Sequence, residues 1–149
     1  MTDHDEIATL LFTYAALVDA GDFTGVGTLF EHATFRAATP SGDVALAQGS
    51  EGARRNFAVV QLYEDGTPRT KHVTTNVIVE VDDDAGTARS RSYFSVLQAV
   101  PGKLPLQVVV AGRYHDAFER VDGRWRFTDR LILTDLVGDV SAHLAPGVL

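Results

Sequence analysis

The chain of 149 residues has no cysteine, one methionine, one tryptophan and five prolines. Without cysteine there is no disulfide framework, no thiolate zinc site, no iron–sulfur cluster and no thiol nucleophile, a usage that fits a reducing compartment. Basic side chains are the scarcer sign: 13 against 20 acidic ones, for a net charge of −7 with histidine neutral and a pI near 5.0. The basic footprint of nucleic-acid binding is missing, so neither DNA nor RNA is expected as a partner. Long apolar runs are missing as well. Val108-Val109-Val110-Ala111 stops far short of a membrane span, and no membrane association is expected. The opening Thr2-Asp3-His4-Asp5-Glu6 is acidic where a secretory signal would be basic. These absences leave the expectation of a soluble, cytoplasmic protein.

What is present is an ordinary globular composition, 45% hydrophobic and 22% charged, at a length that suits one domain. A single domain over 1–149 is expected, with its core over about 5–137 and a C-terminal tail at 138–149. The hydrophobic period changes once, near residue 70. Before it the spacing is helical: Ile7, Leu10, Leu11, Tyr14, Leu17 and Val18 form one stripe, with acidic residues at its start and Gly21 at its end. Asp22 suits the cap of a short second helix carrying Val26, Leu29 and Phe30. A strand at 33–38, a Pro-Ser-Gly loop and a third helix opening at Ser50 follow, with Ala53, Phe57, Val60 and Leu62 inward. After residue 70 the pattern predicts long antiparallel strands at 71–81, 87–99, 106–121 and 125–137, the last two joined by an Asp122-Gly123 hairpin turn. Helices followed by a strand meander predict an α+β domain whose helices cover one face of a curved sheet.

Polar residues capable of acid–base chemistry fall in four places. Tyr14 and Asp19 lie at the end of the first helix, about 140° apart around its axis. Strand alternation puts His72, Thr74 and Asn76 on one face and Val73, Val77, Val79 and Val81 on the other. It groups Val110, Gly112 and Tyr114 on the third long strand, and Thr128, Arg130 and Ile132 on the fourth, opposite Trp125, Phe127 and Leu131. His115, Asp116, Arg113 and the acidic run at 82–84 read as solvated faces. A neutral imidazole with a carboxylate on its second nitrogen is a general base near neutral pH, a tyrosine can assist a leaving group, and an arginine can bind an oxygen anion. Such a set suits proton abstraction beside an acidifying group, with no metal or cofactor required.

The segments Tyr14…Asp19-Ala20-Gly21-Asp22-Phe23, Thr70-Lys71-His72-Val73-Thr74-Thr75-Asn76, Gly112-Arg113-Tyr114-His115-Asp116 and Asp122-Gly123-Arg124-Trp125-Arg126-Phe127 resemble the SnoaL-like branch of the nuclear-transport-factor-2-like superfamily over about residues 5–137. The resemblance implies a cone-shaped α+β barrel, a curved and mostly antiparallel sheet wrapped around N-terminal helices, with a deep pocket. Similarity to the sites of scytalone dehydratase, hexachlorocyclohexane dehydrochlorinase and bile-acid 7α-dehydratase puts a catalytic acid–histidine pair on Asp19 and His72, a tyrosine on Tyr14 and an arginine on Arg130. Asn76, Tyr114, Tyr93, Val110, Gly112 and Ile132 are then expected to line the substrate pocket. The chain departs from scytalone dehydratase at Gln98, where that enzyme has a second histidine. The implied function is a cofactor-independent lyase of the dehydratase type acting on a small, hydrophobic substrate, working as a homodimer or homotrimer. An isomerase or polyketide cyclase with the same pair, a non-catalytic small subunit of a ring-hydroxylating dioxygenase, and a ligand-binding protein are the alternatives.

Overall fold

A capping box starts the first helix. The Thr2 hydroxyl accepts from the Asp5 backbone N–H at 3.1 Å while the Asp5 carboxylate accepts from Thr2. In the computed structural model, which describes residues 1–148, this helix (α1) runs over Asp3–Asp19 and buries Ile7, Leu11, Tyr14, Ala15 and Val18. Just past its C-cap stands Gly21, whose φ of 72° is a conformation that side chains disfavour. Asp22 then caps α2 (Phe23–Leu29), accepting from the Gly25 N–H at 2.8 Å. β1 (Thr34–Thr39), β2 (Gly42–Gln48), α3 (Gly49–Asn56) and a short 3₁₀ turn (Phe57–Val59) lead to four long strands: β3 (Thr70–Asp82), β4 (Thr87–Val100), β5 (Leu104–Val121) and β6 (Arg124–Val137).

The six strands form one sheet in the order β2-β1-β6-β5-β4-β3. Only β1 and β6 are parallel neighbours. The α+β class and the helix-then-meander order match the sequence expectation. The core lies between the helices and the concave face of the sheet, with Ile7, Leu11, Val18, Val26, Phe30, Phe35, Val109, Phe118 and Phe127 fully buried.

Four expectations need correction. β2 falls where no strand was expected, because its apolar Val44 and Leu46 remain exposed on an edge strand and lend the segment no inward stripe. Leu62 lies at the surface, since the chain leaves helical geometry at Phe57 and the loop carries it outward. In β3, Asn76 takes a φ of 54° and the register jumps between Thr75 and Ile78, which inserts one residue. His72 and Thr74 before this bulge therefore share the inner face with Val77, Val79 and Val81 after it, and Val73 points out. In β6 the register jumps between Phe127 and Asp129, leaving Thr128 as the extra residue. Arg130 consequently lies on the same face as Phe127 instead of opposite it.

Gly112 sits where two backbones come close. A Cβ there would be 2.1 Å from the Leu133 carbonyl oxygen and 2.9 Å from the Phe94 ring. Gly112→Ala should cost about 3 kcal/mol or more through overpacking, a fall in Tm of roughly 5–10 °C. Thermal denaturation followed by circular dichroism checks this, and an unchanged Tm would show that the β5–β6 contact is looser than described.

Candidate active site

Asp19 is the last residue of α1, and helix packing sets its carboxylate against the start of β3. One oxygen accepts from the Thr70 hydroxyl at 2.8 Å and lies 2.6 Å from His72 Nδ1. The other accepts from the His72 backbone N–H at 2.8 Å. Burial alone would push the Asp19 pKa up. The hydrogen bonds and charge of His72, with the bond from Thr70, outweigh it and hold the carboxyl below its ordinary value. An ionised Asp19 makes Nδ1 the protonated nitrogen of a neutral His72, which leaves Nε2 with a lone pair and no hydrogen-bond partner among the described residues. Both side chains are about nine-tenths buried, with exposures of 8% and 11%. A cleft of about 590 Å³ reaches them, lined by Phe12, Ala15, Ala16 and Ala20 of the α1 side and by Thr67, Lys71 and Thr74 of the β3 side.

Tyr14 and Arg130 belong to a second group. The Tyr14 ring is packed among Phe30, Phe35 and Phe57 and meets Tyr114 edge to face at 5.9 Å. Arg130 is wholly buried. Its guanidinium lies 3.7 Å from the Tyr114 ring centre and 4.3 Å from that of Tyr14. Its Nε and Nη2 donate to the two oxygens of Asp116 at 2.8 and 2.9 Å, and Nη1 has no partner. Burial opposes the arginine's charge, but Asp116 more than compensates and raises its pKa above the ordinary arginine value. Burial pushes both tyrosine hydroxyls up, so they are neutral donors at pH 7. Ser90 and Ser92 of β4 sit across from Asp116 and Tyr114 in the register, and their buried hydroxyls also lack partners.

The structure thus brings Asp19 and His72 together, and separately Tyr14, Tyr114 and Arg130; no hydrogen bond, ion pair or ring contact among the described residues joins the two groups. Val110 and Gly112 are buried on the concave side and Ile132 packs partly against the core. Asn76 and Tyr93 do not reach the interior. The β3 bulge turns Asn76 outward, and Tyr93 is 53% exposed beside Arg113 on the convex face. Asp116, expected on a solvated face, is buried because it shares the inward parity of β5 with Gly112, Tyr114 and Phe118, and there it meets Arg130.

Sequence reasoning missed Thr70 and His143, and it noted Gln98 only as a departure from scytalone dehydratase. Thr70 was legible, two residues before His72 and so on its face. His143 comes from the C-terminal tail, where no periodicity flags it, yet its ring centre is 6.2 Å from that of His72. No group of three or more His, Asp or Glu that could hold a metal ion occurs among the described residues, and no helix is long and apolar enough to cross a membrane.

A family model of the SnoaL-like domain matches residues 1–131. The chain belongs to the SnoaL-like family. Solved structures agree on the fold of this SnoaL-like protein. Aln2 from a Streptomyces species is 24% identical over 89% of this chain and 90% of its own, with a TM-score of 0.68. A protein from Novosphingobium aromaticivorans described as a scytalone dehydratase is 19% identical over 99% and 95%, with a TM-score of 0.67. The beta subunit of an aromatic-ring-hydroxylating dioxygenase, assigned as such in the same organism, is 13% identical over 95% of each chain, with a TM-score of 0.71. No curated protein matches by sequence.

The buried ion pair yields a stability prediction. Asp116→Asn leaves the Arg130 charge uncompensated in the core and should destabilise by about 3–5 kcal/mol. Urea denaturation measures it. A loss under about 1 kcal/mol would mean that Arg130 is solvated in the folded protein.

Proposed function

We propose that this SnoaL-like protein is a cofactor-independent lyase of the dehydratase type, with His72 as general base and Asp19 as the residue that orients it. The observation that carries the reading is the 2.6 Å contact between His72 Nδ1 and Asp19, which leaves Nε2 free on a base buried beside a cleft. The family holds cofactor-free lyases, isomerases and cyclases as well as non-catalytic members, and the dyad favours the catalytic side of that division.

In the proposed reaction Nε2 takes a proton from a carbon next to a carbonyl, and the C–H electron pair moves into an enolate. Asp19 favours this step by stabilising the imidazolium that forms. Tyr14 and the unpartnered Nη1 of Arg130 do not line this cleft, so as donors to the enolate oxygen they require a substrate that reaches past the dyad into the buried group. As the enolate collapses, the C–O bond on the adjacent carbon breaks, a C=C bond forms, and the departing hydroxide takes the proton held by His72 and leaves as water, which restores the neutral base. The apolar walls Phe12, Ala15 and Ala16 suit a small, largely hydrophobic ring. An isomerisation or ring closure would start from the same proton abstraction.

Homodimer or homotrimer formation belongs to the same reading. Ile78, Tyr93 and Leu136 are exposed large apolar side chains around clefts of the convex face, the face on which a second copy would pack.

The test is turnover of a panel of cyclic β-hydroxy ketones, followed by enone absorbance. His72→Ala and Asp19→Asn should each lower kcat by about 10²–10⁴-fold on any ketone the native protein dehydrates, the range of a lost general base. Native-like rates from both variants would contradict the assignment.

A further inference from the structure

A buried amide oxygen and a buried imidazole nitrogen lie beside the dyad with no hydrogen-bond partner among the described residues. Gln98 of β4 stands directly across from Thr70, the residue whose hydroxyl binds Asp19. Its amide nitrogen donates to the carbonyls of Pro68 at 3.0 Å and Ala142 at 2.9 Å. With both N–H bonds spent, the amide cannot be flipped, and Oε1 must point away from those carbonyls; nothing donates to it. His143, next to Ala142, is 6% exposed, and its Nδ1 is equally unpartnered. Native folds leave few buried polar atoms in this state, and two together next to a base point to a ligand that supplies the missing donors.

The tail is built to hold His143 there. Gln61 donates through its side chain to the Ser141 and Leu144 carbonyls at 2.8 and 2.7 Å and through its backbone to the His143 carbonyl at 2.8 Å. The Tyr63 hydroxyl donates to the Ala142 carbonyl, and the Ala145 N–H donates to Val59 at 2.8 Å. Burial, with the charge of His72, brings the His143 pKa down to about 4, so the ring is neutral at pH 7; in the tautomer with its proton on Nε2, Nδ1 is an acceptor.

We propose that Gln98 Oε1 and His143 Nδ1 form a hydroxyl-recognising subsite, so that the substrate carries O–H donors beside the carbon that His72 deprotonates. The proposal deepens the lyase reading and rests on His72 being its base. Both atoms are closed off from solvent, and the strap 139–145 carries His143 and the Ala142 carbonyl that holds Gln98, so a ligand enters as the strap lifts from the segment 59–63 and is gripped only when the strap closes over it. Gln98 and His143 act here as specificity residues, and the bond-making step stays with His72.

The probes are resorcinol and its dimethyl ether, which share a ring and differ in donors. Titrated into the full-length protein by NMR with ¹⁵N-labelled histidine, resorcinol should bind about tenfold more tightly and shift the His143 Nδ1 resonance, the effect of one satisfied acceptor. His143→Phe and Gln98→Met, which keep side-chain volume, should each bring the two affinities to within about threefold. The His72→Ala protein should keep the resorcinol preference, so a failure of the base assignment and a failure of the subsite give different patterns. Equal affinity of the two probes, absence of binding by both, or a preference that survives both His143→Phe and Gln98→Met would overturn the proposal.

Discussion

The carboxylate of Asp19 gathers three contacts from β3: the Thr70 hydroxyl, the His72 backbone N–H and the His72 ring. Because Asp19 is the last helical residue of α1, these contacts tie the end of the helix to the start of an edge strand and orient an imidazole in the same act. A backbone bond and a ring bond to the same carboxylate fix His72 at two points, so its ring direction follows from the seating of α1 on the sheet. The seating in turn depends on the stripe Ile7, Leu11, Val18 and on the capping box that starts the helix. The direction of the His72 ring is therefore coupled to ordinary helix–sheet packing.

The second polar group obeys a different logic. Arg130 is wholly buried between two tyrosine rings, and only its bidentate bond to Asp116 makes that tolerable. The unused Nη1 and the unpartnered serines of β4 leave this core polar without being fully satisfied. Together with Gln98 and His143 they mark the concave interior as a place with hydrogen-bonding capacity in reserve. A packed core that existed for stability alone would have little reason to keep it.

Most of the fold was legible because hydrophobic period carries it. The α1 stripe, the Asp22 cap, the Asp122-Gly123 turn and the four long strands all follow from local pattern. The face assignments failed where a strand gained one residue. Asn76 and Thr128 are ordinary letters in the sequence, yet each reverses the parity of everything beyond it, sending Asn76 outward and Arg130 inward. The dyad survived this because Asp19 and His72 both precede the β3 bulge. Tyr14 and Arg130 are joined by packing of helix on sheet, and their separation from the dyad depends on three-dimensional distances that spacing does not encode. His143 was invisible for the same reason: a tail with no period gives no clue that Gln61 and Tyr63 will fold it over His72.

The account stands most directly on the protonation state of one ring. Two-bond ¹H–¹⁵N NMR of the histidine-labelled protein, at a pH where His72 is neutral, reads which nitrogen carries the proton. The geometry predicts Nδ1–H with a free Nε2, and loss of that preference in Asp19→Asn. A native His72 protonated at Nε2 would contradict the dyad and the base it is held to provide.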